Sequence, residues 1–145
     1  MTVKYSLRVA KPVKLFFLDD SGSEKSGLAV LGWLELDIAD WALVLGRVLE
    51  WRQSLAQAHA IPKSYELHAV QFVNGRGNPT SDDAWNRVKH FRRTIATDLA
   101  HRVGTWSDVH VRGLVRQSQT RRHGYQLERE QAYEDFVAYA KFTLE

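Results

Sequence analysis

The sequence predicts an α/β fold in which helices pack on a small mixed sheet. Three observations carry this. Two short apolar runs, at 13–18 and 28–36, are strand-length and flank a Gly/Ser turn. Apolar residues then recur at helical spacing through 38–55 and again through 85–103. An alternating segment at 109–115 and a last helical pattern at 126–143 complete the order strand, strand, helix, helix, strand, helix.

The first run carries the most information. Leu15-Phe16-Phe17-Leu18 is wholly apolar and stops in Asp19-Asp20-Ser21-Gly22. Such a run reads as a strand buried on both faces. A carboxylate at its end is costly unless a cation, donors or water meet it. Acids held on a stiff strand are what hard cations require, although the same residues also read as a solvated turn. The second run, 28–36, pairs with the first as an antiparallel hairpin.

Asp37 can cap the helix that follows. Ile38, Trp41, Leu45, Val48, Leu49 and Leu55 form its stripe, with Trp51 off it, and Pro62 ends the element. After a Gly-rich turn at 74–79, Thr80 or Ser81 caps a helix with the stripe Trp85, Val88, Phe91, Ile95, Leu99 and Val103, stopped by Gly104. In the strand at 109–115, Val109, Val111 and Val115 share one face, and His110, Arg112 and Leu114 the other. Residues 3–11 form a short leading strand or a loose arm, and 117–124 a polar, basic loop. The last helix presents Tyr133, Phe136, Val137, Ala140 and Leu144 for packing.

Composition bounds the reading. At 145 residues, 44% hydrophobic, the chain is expected to be one domain, 1–145, with a real core. No apolar run approaches the length of a membrane span. There is no secretory h-region and no cysteine, which fits a cytoplasmic protein without thiol chemistry. The net charge is only +3, yet ten Lys or Arg lie between Arg87 and Arg129 against Asp98, Asp108 and Glu128. That asymmetry suggests a basic face for nucleic acid, with Arg92, Arg93, Arg121 and Arg122 as contacts. It also reads as solvated helix faces.

Glu66-Leu67-His68-Ala69 is the second unusual stretch. In an extended segment Glu66 and His68 point the same way and can share a metal or a phosphate; in a helix they diverge. Ser21 with His68 lacks the elbow of a nucleophilic serine. The glycines at 75 and 77 do not fit a nucleotide loop. Tyr65, Trp85 and Trp106 can stack on bases, or fill a core.

Taken together, Asp19-Asp20-Ser21-Gly22 and Glu66-Leu67-His68-Ala69, with a hairpin and a helix between them, resemble the bacterial domain-of-unknown-function family numbered 3800. The resemblance covers 13–69 and continues more loosely through the strand at 109–115 and the helix that starts near Tyr125. Asp20 stands where the family has Glu. The resemblance implies a ribonuclease H-like fold and a metal-dependent nuclease-type activity on phosphodiesters. Asp19, Glu66 and His68 would be catalytic, and Asp19, Asp20 and Glu66 would ligate Mg²⁺ or Mn²⁺. Relatives usually continue into another strand and a further acidic motif, so the chain is expected to be truncated at its C-terminal side. Asp108, Glu128, Glu130, Glu134 and Asp135 are candidates to replace the missing acids. The alternative is a catalytically inactive relative acting as a nucleic-acid or protein interaction module, and a homodimer that covers the exposed apolar surface.

Overall fold

The computed structural model describes residues 13–118 and 123–144. The leading segment at 3–11 lies outside them, as do Arg121 and Arg122. The described residues fall into two compact units. One is a sheet unit made of residues 13–39 and 110–144. The other is a helical unit, Asp40–Val109, inserted between its second and third strands.

In the sheet unit, β1 (Lys14–Ser23) and β2 (Leu28–Asp37) form the expected antiparallel hairpin. Ser23 faces Leu28 across the turn, and the Gly27 amide donates to the Ser23 carbonyl at 3.0 Å. Gly22 sits at φ +126°, and a Cβ there would lie 1.9 Å from the Leu28 carbonyl oxygen. Only glycine fits that approach. β3 (His110–Gln117) adds antiparallel to β2, so the order is β1-β2-β3. Among the described residues the sheet is therefore antiparallel throughout, where a mixed one is expected.

Among the described residues β1 is an edge strand, not one buried on both faces. Phe17 and Leu18 are partly exposed, and the central position belongs to β2, whose Ala29, Leu31, Trp33 and Glu35 are buried. Nor do the carboxylates end the strand: pairing runs on past Asp19 and Asp20 to Ser23. α5 (His123–Leu144) covers the face that carries Phe16, Trp33 and Arg112. Phe136 meets Phe16 edge-on at 5.5 Å and Trp33 at 5.2 Å, while Tyr139 lies 5.3 Å from Trp33. The buried stripe of α5 thus runs through Ala132, Phe136 and Tyr139, and Val137 and Leu144 are exposed.

On β3 the helix-covered face is the one with the arginines. Arg112 and Arg116 lie on the α5 side, because acids on β2 and α5 meet them there. Val111 and Val115 point the other way and are 61% and 66% exposed.

The helical unit holds α1 (Trp41–His59), α2 (Ala69–Val73), α3 (Asp83–Arg87) and α4 (Lys89–Gly104). Its core is Trp51, Leu55, Ile61, Phe72 and Ile95, with Tyr65, Leu67, Trp85 and Leu99 packed against it. Trp51 is thus central, although periodicity places it off the stripe; of the expected stripe, Ile38, Trp41, Leu45 and Leu49 are exposed. The expected helix through 85–103 breaks at Val88, whose backbone is extended. The cap belongs to Asp82, which accepts from the Ala84 and Trp85 amides, not to Thr80 or Ser81. Thr80 instead bonds Asn86 and the Asp82 amide, closing the loop that precedes α3. No helix among the described residues is long and apolar enough to cross a membrane.

Candidate functional site

Asp19 and Asp20 are neighbours on one strand, so their side chains leave opposite faces of the sheet. Asp20 faces α5. There the Arg129 guanidinium donates a short charge-assisted hydrogen bond to its carboxylate, and that contact holds the Asp20 carboxyl below its ordinary value. Asp19 faces the side that α5 does not cover, and is exposed. Its cross-strand partner is Gly32, and Gly32 pairs in turn with Gly113. A row of one carboxylate and two glycines therefore crosses all three strands, leaving bare backbone beside Asp19.

The two aspartates do not form one ligand set. A single cation cannot be reached from both faces of a strand, and Asp20 already neutralises an arginine. Asp20, expected as a metal ligand, here links β1 to α5 through Arg129. Glu66 and His68 do come together, as an extended segment requires: Nε2 of His68 lies 3.3 Å from Oε1 of Glu66. Both side chains are well exposed, and they belong to the helical unit while Asp19 belongs to the sheet unit. Among the described residues no group of three or more His, Asp or Glu is arranged to hold a metal ion.

The acids proposed as replacements have partners of their own. Asp108 accepts from Arg47 at 2.5 Å. Glu128 and Asp135 both accept from Arg116, at 2.7 and 2.8 Å. Glu130 and Glu134 accept from Gln126 and Gln131.

The most constrained carboxylate is one the sequence does not advertise. Glu35, at the end of β2 and only 2% exposed, accepts from Lys14 at 2.5 Å, from the Tyr139 hydroxyl and from Arg112 at 3.4 Å. Burial pushes its carboxyl up. The hydrogen bonds from Lys14, Tyr139 and Arg112 outweigh that together, and its pKa ends below the ordinary value. The same contact raises Lys14. A carboxylate inside an apolar strand, Leu34-Glu35-Leu36, was the available signal, because an unpaired one could not be buried there.

The basic stretch is also redistributed. Arg102 pairs with Asp98, Arg112 with Glu35, Arg116 with Glu128 and Asp135, and Arg129 with Asp20. Arg92 is fully buried, and its guanidinium donates to the carbonyls of Arg76, Gly77 and Asn86. It fastens the Gly-rich loop to α4 and is not available to a phosphate, which corrects its assignment as a nucleic-acid contact. Arg87, Lys89 and Arg93 remain exposed and form no ion pair among the described residues.

No family model matches the chain, and neither the curated proteins nor the solved structures yield a significant match.

Proposed function

We propose that this chain is a nucleic-acid interaction module on a ribonuclease H-like framework, whose strand carboxylates hold the fold together instead of holding two metal ions. The observation that carries this reading is the capture of Asp20 by Arg129 on the α5 side of β1. A two-metal site needs several carboxylates converging on one pair of ions. Here neighbouring acids diverge, and the strand acids facing α5, Glu35 and Asp20, are spent on Lys14, Arg112 and Arg129. The nucleic-acid part of the reading is supported by Arg87, Lys89 and Arg93, cations of the helical unit left without an acidic partner among the described residues.

The test is a cleavage assay with Mn²⁺ or Mg²⁺ on labelled single- and double-stranded DNA and RNA, beside a binding assay on the same substrates. Binding without cleavage is expected, unchanged by Asp19→Ala. A second reading, a metal-dependent phosphodiester hydrolase, is favoured by the exposed Asp19 beside Gly32 and Gly113, where a bulky backbone can approach. Robust Mn²⁺-dependent cleavage abolished by Asp19→Ala would establish that reading in place of the first.

A further inference from the structure

At the N-terminal end of α4 four rings follow one another. His59 lies 5.8 Å from Trp85, Trp85 stacks on Phe91 at 6.0 Å with planes 29° apart, and Phe91 lies 6.4 Å from His90. The ladder runs from half-buried rings, His59 and Trp85, to exposed ones. Trp85 packs against the core, Phe91 is 43% exposed, and His90 is exposed. Phe91 thus packs on Trp85 and still presents part of its ring to water.

From His90 the surface continues as a trough along α4 of about 500 Å³, lined by His90, Arg93, Thr94, Thr97, Asp98 and His101. These residues recur every three or four positions, so they share one helix face. The span from His90 to His101 is roughly 16 Å. Arg93 is its unpaired cation, whereas Asp98 is neutralised by Arg102 at 2.7 Å. On the opposite side of α4, the buried Arg92 donates to three carbonyls and lies 6.0 Å from the Trp85 ring. The rings are therefore presented on a stiff support, which lowers the ordering cost of binding.

We propose that this ladder and trough bind single-stranded nucleic acid: bases stack on Phe91 and His90, and the backbone lies along Arg93 and the threonines. The assignment rests on the interaction-module reading and gives it a location. Rings stack on any base whose face is free, which duplex bases do not offer. Arg93, beside the rings, supplies a phosphate contact, with Thr94 and Thr97 as further donors along the same face.

Fluorescence anisotropy of the full chain with a labelled oligothymidylate and with a duplex of equal length tests this, with inorganic polyphosphate as competitor. The single strand is expected to bind more tightly than the duplex, with an affinity that falls steeply with salt. Phe91→Leu, which keeps an apolar contact with Trp85, is expected to weaken binding about 5- to 100-fold. Arg93→Gln should reduce the salt slope by about one. Circular dichroism confirms that both variants are folded. If the chain binds oligonucleotides but both folded variants bind as the parent does, the site is wrong and the module reading survives. If no nucleic acid binds at low salt, both fall. Equal affinity for duplex, or full competition by polyphosphate with no effect of Phe91→Leu, shows a polyanion surface and overturns base stacking.

Discussion

Glu35→Gln keeps the shape of the side chain and removes its charge, leaving Lys14 and Arg112 facing a neutral group beneath α5. Breaking a buried pair from one side costs about 3–5 kcal/mol. Lys14 is one-fifth exposed and Arg112 about half exposed, so water relieves both in part. The loss should therefore fall near the low end, about 3 kcal/mol, which lowers Tm by roughly 6–12 °C in a chain of this size. Thermal melts followed by near-ultraviolet circular dichroism report it well, because Trp33 and Tyr139 pack side by side on this face. The double variant Lys14→Met with Glu35→Leu replaces the pair with apolar groups and should recover most of the loss. The pH dependence has a definite sign. A carboxyl whose folded pKa lies below its ordinary 4.5 contributes in full above that value, and the contribution fades as pH falls through the folded pKa. The gap between parent and Glu35→Gln should therefore narrow in acid, below pH 4.5. A Glu35→Gln melt within about 2 °C of the parent at pH 7, or a double variant no more stable than the single one, would refute the argument that this carboxylate ties helix to sheet.

Other outcomes follow from single positions. Gly22→Ala should prevent the β1–β2 turn from forming, since its Cβ would collide with the Leu28 carbonyl; loss of soluble expression or a collapsed melt is the readout. Gly46→Ala, inside α1 with nothing within 4 Å of the new Cβ, should instead stabilise by about 0.5–1 kcal/mol in urea titrations. Asp20→Asn should change Tm by no more than about 3 °C, because its pair with Arg129 is partly in water, and its effect should vanish as pH falls below 3.8. The apolar side of β3, with Val111 and Val115 outward, is expected to pair with a second copy; static light scattering across a dilution series checks this, and a monodisperse monomer at micromolar concentration counts against it.

What the sequence conveyed was the order of elements. The hairpin, the helix over 41–59, the strand near 110–117 and the last helix are legible because each keeps one period and is bounded by turn or cap residues. What it did not convey was which side of each element faces inward. The Phe16-Phe17 pair is equally apolar on both sides of β1, and only the sheet order shows that the strand lies at an edge. On β3 the valines lost the helix-covered face to Arg112 and Arg116, because the acids that attract them lie far away in the chain, on β2 and α5. Arg92 looked like surface for the same reason: its acceptors are backbone carbonyls, which carry no sequence signature. The Glu66 and His68 contact, by contrast, is local: their spacing allowed it in an extended segment, and the segment is extended.

The helical unit has one topological property that bears on how the chain folds. It enters and leaves through neighbouring strands, since Glu35 of β2 is paired with His110 at the start of β3. In the sheet's own terms, Asp40–Val109 is a very long hairpin loop. Closing a floppy loop of that size is entropically costly, though the cost rises only logarithmically with length. A segment that first condenses around Trp51, Leu55 and Ile95 ceases to be floppy, and it need only deliver its two ends to adjacent strands. The β1–β2 hairpin and the helical insert can then form early and separately, with the β2–β3 ladder and the landing of α5 as the late, non-local event. By the same geometry, a short turn joining β2 to β3 should be able to replace the whole insert, because the strands it connects are already side by side.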